Sequence, residues 1–241
     1  MLRGCEGPKG RWYRHAIGSL PYKLAADLRD RLGLERAVET GTFQGGGARA
    51  LAAMFPAVLT IELSDRYFEL ASAELAAVPN IAAEHGASPA ILERLEPAPT
   101  FYWLDAHWSG LDTAGEENPC PVLEEIAAIP THPADCLLID DARLFAATRE
   151  PDRWPTLVRV LDALREARPG AHVTVLHDLI LCVPPEAKDL LDDFGMEHAQ
   201  EVWAAAEEAR LAGSGLDAAE SQAPPTGRLR QLARYAAGRR R

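Results

Sequence analysis

The 241-residue chain is 47% apolar and 25% charged, values ordinary for a globular protein, which excludes a collagen-like, low-complexity or fully disordered chain. No apolar run approaches the roughly 18 residues of a membrane span, so we expect no membrane partner. The start lacks the apolar segment of a signal peptide, and the four cysteines form no C-x-x-C pair. We therefore expect a cytoplasmic location and reduced thiols. The formal net charge of −11 is unevenly distributed, because residues 226–241 contain six arginines and no acid and residues 1–225 therefore carry −17. An acidic body of this charge repels nucleic acid.

Short apolar segments alternate with helical patterns along the chain. Leucines at every fourth position predict a first helix over residues 20–34, and Gly33 marks its end. Five predicted strands follow, and this alternation of strands with helices is typical of a parallel sheet that is covered on both faces. The predicted strands are 36–40, 58–62, 81–84, 101–105 and 136–140, and the predicted helices are 48–55, 65–78, 89–95, 122–129 and 157–167.

Two last strands, 173–176 and 179–183, are separated only by His177 and Asp178, a spacing that predicts a tight antiparallel hairpin. The pattern as a whole predicts an α/β fold with a Rossmann-like, mostly parallel, seven-stranded sheet, helices on both faces and this hairpin at its end. The predicted organisation is an N-terminal extension (1–19), one domain (20–203) and a peripheral tail (204–241) whose composition favours disorder.

A glycine-rich turn, Glu39-Thr-Gly41-Thr42-Phe-Gln-Gly45, joins the first strand to its helix. Glycine lets the backbone approach a ligand closely, and the helix start offers free N–H groups. The acid-x-Gly-x-x-x-Gly spacing differs from the G-x-G-x-x-G of dinucleotide-binding proteins. We expect Glu39 to pair with a cationic ligand; an ordinary strand-to-helix turn is the alternative.

Two further strand ends carry polar residues. Glu62 lies 21 residues after Gly41, a register at which a carboxylate accepts hydrogen bonds from both ribose hydroxyls of a nucleotide. The turn that runs from His85 to Ser88 follows the third strand, where a nucleotide-binding sheet faces the adenine. A solvated loop acid and a plain turn are the respective alternatives.

Three aspartates and a histidine follow the fourth and fifth strands. Asp105, Asp140 and Asp141 converge at the carboxyl ends of two neighbouring strands, where they repel one another unless a cation neutralises them. We therefore expect them to bind Mg²⁺ or a similar divalent ion. His107 can deprotonate a hydroxyl near neutral pH. The alternative is that the aspartates cap helices or form ion pairs with Arg143.

Over residues 20–200, the order of the strands, the E-x-G-x-x-x-G turn, the acid that ends strand two and the terminal hairpin resemble the class I S-adenosylmethionine-dependent methyltransferases. The D-x-H and D-D pairs resemble the metal-dependent O-methyltransferases of macrocin and novobiocin type, which carry D-x-D and D-D after strands four and five. Carried over by position, the resemblance makes Asp105, Asp140 and Asp141 metal ligands, and His107 replaces the second aspartate of that family as base. It assigns S-adenosylmethionine to Glu39, Gly41, Thr42, Gly45, Glu62, Ser88 and Asp105.

The resemblance implies methyl transfer from S-adenosylmethionine to a small-molecule acceptor, at oxygen, with help from a divalent cation. Two alternatives stay open: a non-catalytic cofactor-binding module that uses its loops or tail for a partner, and a nicotinamide-dependent oxidoreductase. Nucleic acid and membrane are not expected as partners, and a homo-oligomer is compatible with the sequence.

Overall fold

A seven-stranded sheet in the order β3-β2-β1-β4-β5-β7-β6 organises the protein. The computed structural model describes residues 20–108, 114–148 and 153–213. Strands β1 to β5 run parallel and β6 and β7 pair antiparallel, as the sequence predicted, and β7 also lies antiparallel to β5. The strands are β1 (Arg36–Thr40), β2 (Val58–Glu62), β3 (Ile81–His85), β4 (Thr100–Leu104), β5 (Cys136–Ile139), β6 (His172–Leu176) and β7 (Leu179–Val183).

Helices cover both faces of this sheet, which confirms the predicted fold class. A single 3-10 turn, Pro185–Ala187, precedes the last helix. The helices are α1 (Tyr22–Leu32), α2 (Gly46–Ala52), α3 (Asp65–Leu75), α4 (Ser88–Leu92), α5 (Val122–Ala128), α6 (Ala142–Ala146), α7 (Leu157–Ala167) and α8 (Lys188–Gly213).

The chain divides into two compact units, residues 1–198 and residues 199–241. The described part of the second unit is the end of α8, so the first ten residues of the predicted tail are helical. The predicted extension (1–19) and the arginine-rich end lie outside the described residues. None of the helices that the structure describes is long and apolar enough to cross a membrane.

Two apolar cores sandwich the sheet, and adjacent residues of the central strands enter opposite cores. Phe101 and Trp103 of β4 join the core that contains α1, whereas Tyr102 and Leu104 join the core beneath α5 and α7. Because both faces are buried, all five residues of β4 are buried, which explains why its sequence is an almost continuous apolar run.

Two details at the carboxyl edge of the sheet differ from the prediction. Strands β4 and β5 end one residue earlier than predicted, so Asp105 and Asp140 are the first residues beyond them. The five-residue helix α6 was not predicted, because it is too short to show a helical period. Asp141, with a φ of 57°, makes the turn from β5 into α6.

The predicted two-residue hairpin between β6 and β7 is confirmed. His177 and Asp178 both have positive φ, 51° and 73°, the conformation that suits the twist of a tight hairpin. The hairpin places Asp178 beside α6, since the N–H of Ala142 donates to the Asp178 carbonyl at 2.8 Å.

Candidate active site

A cavity of about 830 Å³ opens at the carboxyl ends of the strands, on both sides of the point where the strand order reverses between β1 and β4. Open α/β sheets bind their ligands at this switch point. The volume lies within the range of small-molecule sites. Its lining includes Gly41, Phe43, Glu62, Leu63, Tyr67, Gly86, Ser88, Asp105, His107, residues 114–118, Asp140, Asp141 and Arg143.

Gly41 lets the glycine-rich turn pass directly over the end of β4. Its φ is 86°, and a Cβ built there would lie 2.4 Å from the backbone oxygen of Asp105. A side chain at this position would therefore collide with backbone. The turn is also tied to β2, because the N–H of Gly41 donates to the Ile61 carbonyl at 2.9 Å.

Glu39 lies behind the turn and not in the cavity lining. Its Oε2 accepts a hydrogen bond of 2.6 Å from the Thr60 hydroxyl, which in turn accepts one of 2.6 Å from Thr42. A Cβ on Gly47 would meet Glu39 Oε1 at 1.9 Å, so α2 begins directly against this carboxylate. Burial raises the pKa of Glu39 to about 8. Glu39 and Thr42 thus support the turn from within the protein.

Gly45 also lies outside the cavity lining, like Glu39 and Thr42, and it packs against α3. Its φ is 73°, and an added Cβ would lie 3.1 Å from the Leu75 side chain. Glycine at this position allows the turn to enter α2 while α2 and α3 pack closely.

Glu62 links the end of β2 to the glycine-rich turn and lines the cavity. Its Oε2 accepts from the N–H of Phe43 and its Oε1 from the N–H of Ser64, both at 2.8 Å. A carboxylate has about four acceptor positions, so each oxygen keeps capacity for one ligand hydroxyl. The two backbone bonds hold the carboxylate in a fixed orientation at the cavity wall.

Ser88, at the start of α4, also lines the cavity. Its hydroxyl donates to Glu125 Oε1 at 2.5 Å, and burial raises the pKa of Glu125 to about 7. The sequence analysis missed Glu125. The signal was its position on α5, since Val122 and Ile129 lie three residues before and four residues after it on the buried face of this helix.

The structure brings His107 and the three predicted aspartates together. His107 Nε2 lies 2.8 Å from Asp141 Oδ2, and its Nδ1 lies 3.4 Å from Asp105 Oδ1. Asp140 is 1% exposed, and its Oδ1 accepts from the N–H of Asp141 at 2.7 Å. Arg143 lies 2.6 Å from Asp141 Oδ1 and also contacts Asp178, a residue that the sequence analysis did not place in the site.

The pKa values in this cluster move in opposite directions. Burial, assisted by neighbouring carboxylates, raises the pKa of Asp105 to about 7, and burial raises that of Asp140 to about 6. Burial acts to raise the pKa of Asp141 too, but His107 and Arg143 lower it below its ordinary value. For His107, burial acts to lower the pKa, yet the hydrogen bond to Asp141 and the charges of the aspartates raise it overall.

The predicted magnesium ligands are engaged by side chains in this arrangement. Asp141 is paired with both His107 and Arg143, and the nearest partner of Asp105 is His107. Over residues 20–108, 114–148 and 153–213, no group of three or more His, Cys, Asp or Glu side chains is arranged to hold a metal ion. The structure therefore gives no support for a divalent cation at these residues, and Asp141 forms the ion pair with Arg143 that the sequence left open as the alternative.

Trp154 fixes the outer side of the histidine. Its ring meets the His107 ring edge-on, with centroids 5.5 Å apart, and it also packs on Phe145 of α6. This aromatic contact, together with the bond to Asp141, holds the imidazole in one orientation.

Comparisons with known proteins agree on the fold. No protein-family model and no curated protein matches this chain significantly. An O-methyltransferase from Bacillus cereus, solved with S-adenosylhomocysteine, is 17% identical, with 70% of this chain and 83% of that chain covered and a TM-score of 0.50. A Klebsiella pneumoniae protein assigned as an O-methyltransferase is 18% identical, with 71% and 83% covered and a TM-score of 0.50. This chain therefore has the Rossmann-like fold of class I S-adenosylmethionine-dependent methyltransferases.

Proposed function

We propose that this protein transfers a methyl group from S-adenosylmethionine to a hydroxyl of a small-molecule acceptor. The observation that carries the proposal is the placement of two functional groups in one cavity: Glu62, fixed by the glycine-rich turn, and His107, fixed by Asp141. The fold shared with the Bacillus cereus protein supports the same donor.

In the proposed donor half of the cavity, Glu62 accepts the two ribose hydroxyls, Gly41 leaves room for the methionine portion, and Ser88 lies beside the adenine. These three residues border one continuous cavity. Glu62 is held by two backbone N–H groups before any ligand arrives, so little ordering cost remains when the donor binds.

His107 is the proposed base. Its Nε2–H donates to Asp141 at 2.8 Å, which leaves Nδ1, 3.4 Å from Asp105, as the nitrogen that receives the acceptor proton. Asp141 then stabilises the imidazolium that forms, as the carboxylate does in other acid–histidine pairs. When bound, S-adenosylmethionine would supply the methyl group, with its S–CH3 bond breaking and S-adenosylhomocysteine leaving as the C–O bond forms. His107 would take the proton that the acceptor hydroxyl gives up.

We include no divalent cation in the mechanism, because the described residues form no group arranged to hold a metal ion and Asp141 is paired with His107 and Arg143. The positive charges of these two residues reduce the repulsion among the aspartates.

Calorimetry with S-adenosylhomocysteine tests the donor site directly. We expect binding to the wild-type protein and weakened binding to Glu62→Ala, with no comparable binding of NAD. If S-adenosylhomocysteine does not bind the wild-type protein, the proposed function is wrong. If it binds but no acceptor is ever methylated, the cofactor-binding module becomes the better description.

A further inference from the structure

We infer that the acceptor of this cavity is a cationic small molecule that carries an ammonium group. The inference rests on the proposed function and names the substrate class of the same site. It follows from the charged side chains that line the cavity outside the donor half.

Carboxylates outnumber cations in this part of the lining. Five acidic side chains face two basic ones, His107 and Arg143. With every carboxylate ionised and both basic groups charged, the described lining has an excess of three negative charges, which the raised pKa values of Asp105 and Asp140 reduce near neutral pH. The acidic residues are Asp105, Glu116, Glu117, Asp140 and Asp141.

Each basic group of the lining is already paired with carboxylates. The Arg143 guanidinium contacts both Asp141 and Asp178 through one of its nitrogens. His107 lies between Asp141 and Asp105. A carboxylate or phosphate on the acceptor that approaches either basic group would therefore also meet these carboxylates and be repelled by them.

Asp140 is the group that points most directly to a cationic partner. It lines the cavity although it is 1% exposed, so its carboxylate has lost almost all contact with water. Its Oδ1 accepts from the N–H of Asp141, and among the described residues no basic side chain forms an ion pair with it. A carboxylate with so little water around it gains from a charged donor, and an ammonium group on the acceptor would supply one.

Glu116 and Glu117 extend the negative charge to the mouth of the cavity. Both side chains are exposed. The segment that carries them lies close to Leu63 across the opening, since a Cβ built on Gly115 would lie 3.8 Å from the Leu63 side chain. Exposed charges at a mouth steer a ligand of opposite sign more than they hold it. The rim therefore favours the entry of cations, and Asp140 favours their retention.

The test measures binding to protein saturated with S-adenosylhomocysteine, in two series whose members share a hydroxyl-bearing frame. The first series is tyramine, 4-methylphenol and 4-hydroxyphenylacetate; the second is glucosamine, glucose and glucuronate. Ligand-observed NMR at pH 7 gives each dissociation constant. In at least one series we expect the ammonium compound to bind about tenfold more tightly than the carboxylate, with the neutral compound between them.

Charge-neutralising variants separate this preference from the overall acidity of the protein. In Asp140→Asn, the preference for the ammonium compound should fall at least threefold, and in Glu116→Gln/Glu117→Gln it should fall by less. In both variants the affinity for S-adenosylhomocysteine should stay within twofold of wild type. The matched control is Glu69→Gln/Glu93→Gln, which removes two exposed carboxylates outside the cavity lining and should leave the preference unchanged.

Three results would overturn the inference: equal affinities within both series, tighter binding of the carboxylates, or a control variant that changes the preference as much as the cavity variants do. If the ammonium compound shows no detectable binding in either series, the inference is overturned as well. A wild-type protein that does not bind S-adenosylhomocysteine is a different result, because it contradicts the proposed function and not the charge preference.

Discussion

His107 and Asp141 form a hydrogen bond of 2.8 Å between the residues that follow β4 and the residues that follow β5. The bond is possible because β4 and β5 are parallel neighbours whose carboxyl ends lie side by side. It orients the imidazole and leaves Nδ1 towards Asp105.

Replacing the proposed base should reduce the rate without affecting donor binding. In His107→Ala, we expect kcat to fall by about 10²–10⁴, the range that a positioned base contributes. The affinity for S-adenosylhomocysteine, measured by calorimetry, should stay within twofold of wild type, since Glu62 is untouched. A variant with wild-type kcat would exclude His107 as the base.

Asp141→Asn should move the pH profile of kcat to lower pH. His107 acts as a base only when neutral, so activity rises with pH through its pKa, which the carboxylate of Asp141 raises. Removing that charge lowers the pKa of His107, and kcat should fall as the imidazole loses its orientation. Asp162→Asn, on the surface of α7, is the control. A profile that does not move would show that the pair does not govern the reaction.

Gly41→Ala should weaken donor binding and destabilise the protein. A Cβ at this position would lie 2.4 Å from backbone, and the residue has a positive φ, so we expect a loss of about 1–3 kcal/mol in the free energy of unfolding. Gly46→Ala is the matched control, because a Cβ there meets nothing within 4 Å and lies at the start of α2. Urea unfolding and calorimetry with S-adenosylhomocysteine measure the two effects, and equal behaviour of both variants would contradict the explanation.

Glu39 makes the stability of the protein depend on pH. Its pKa is about 8 in the folded protein and near 4.5 in the unfolded chain, so its contribution to stability is complete below pH 4.5 and is lost as the pH rises through 8. A shift of this size corresponds to about 3–5 kcal/mol. In Glu39→Gln, the free energy of unfolding should therefore fall less between pH 5 and pH 8.5. Parallel curves for the two proteins in urea titrations would refute this.

Removal of divalent ions should leave turnover unchanged. Of the carboxylates that a metal would use, Asp141 is paired with His107 and Arg143 and Asp105 lies beside His107, so we expect the same kcat in EDTA as in Mg²⁺. The assay compares the dialysed protein with and without added Mg²⁺. Activity that disappears in chelator and returns with Mg²⁺ would establish the metal site that the sequence predicted.

The sequence by itself determined the architecture. Short apolar runs predicted the buried strands, and helical periodicity predicted the helices. The two-residue spacing at His177 and Asp178 predicted the hairpin. Each of these signals is local along the chain, so the sequence alone contains it. The convergence of Asp105, His107, Asp140 and Asp141 was also predictable, since carboxyl ends of parallel strands meet at one edge of a sheet.

Only the tertiary structure decided what each of these side chains faces. Glu39 is paired across the sheet with Thr60 of β2, so its carboxylate is directed to a buried hydroxyl and not to the cavity, and the sequence carries no signal of that partner. Asp178 and Glu125 enter the site region from distant segments, through a hairpin turn and a buried helix face. The sequence left open whether the aspartates bind a metal ion or pair with Arg143. The structure pairs Asp141 with His107 and Arg143, because the partner of a charged group depends on distances in space, which spacing along the chain does not specify.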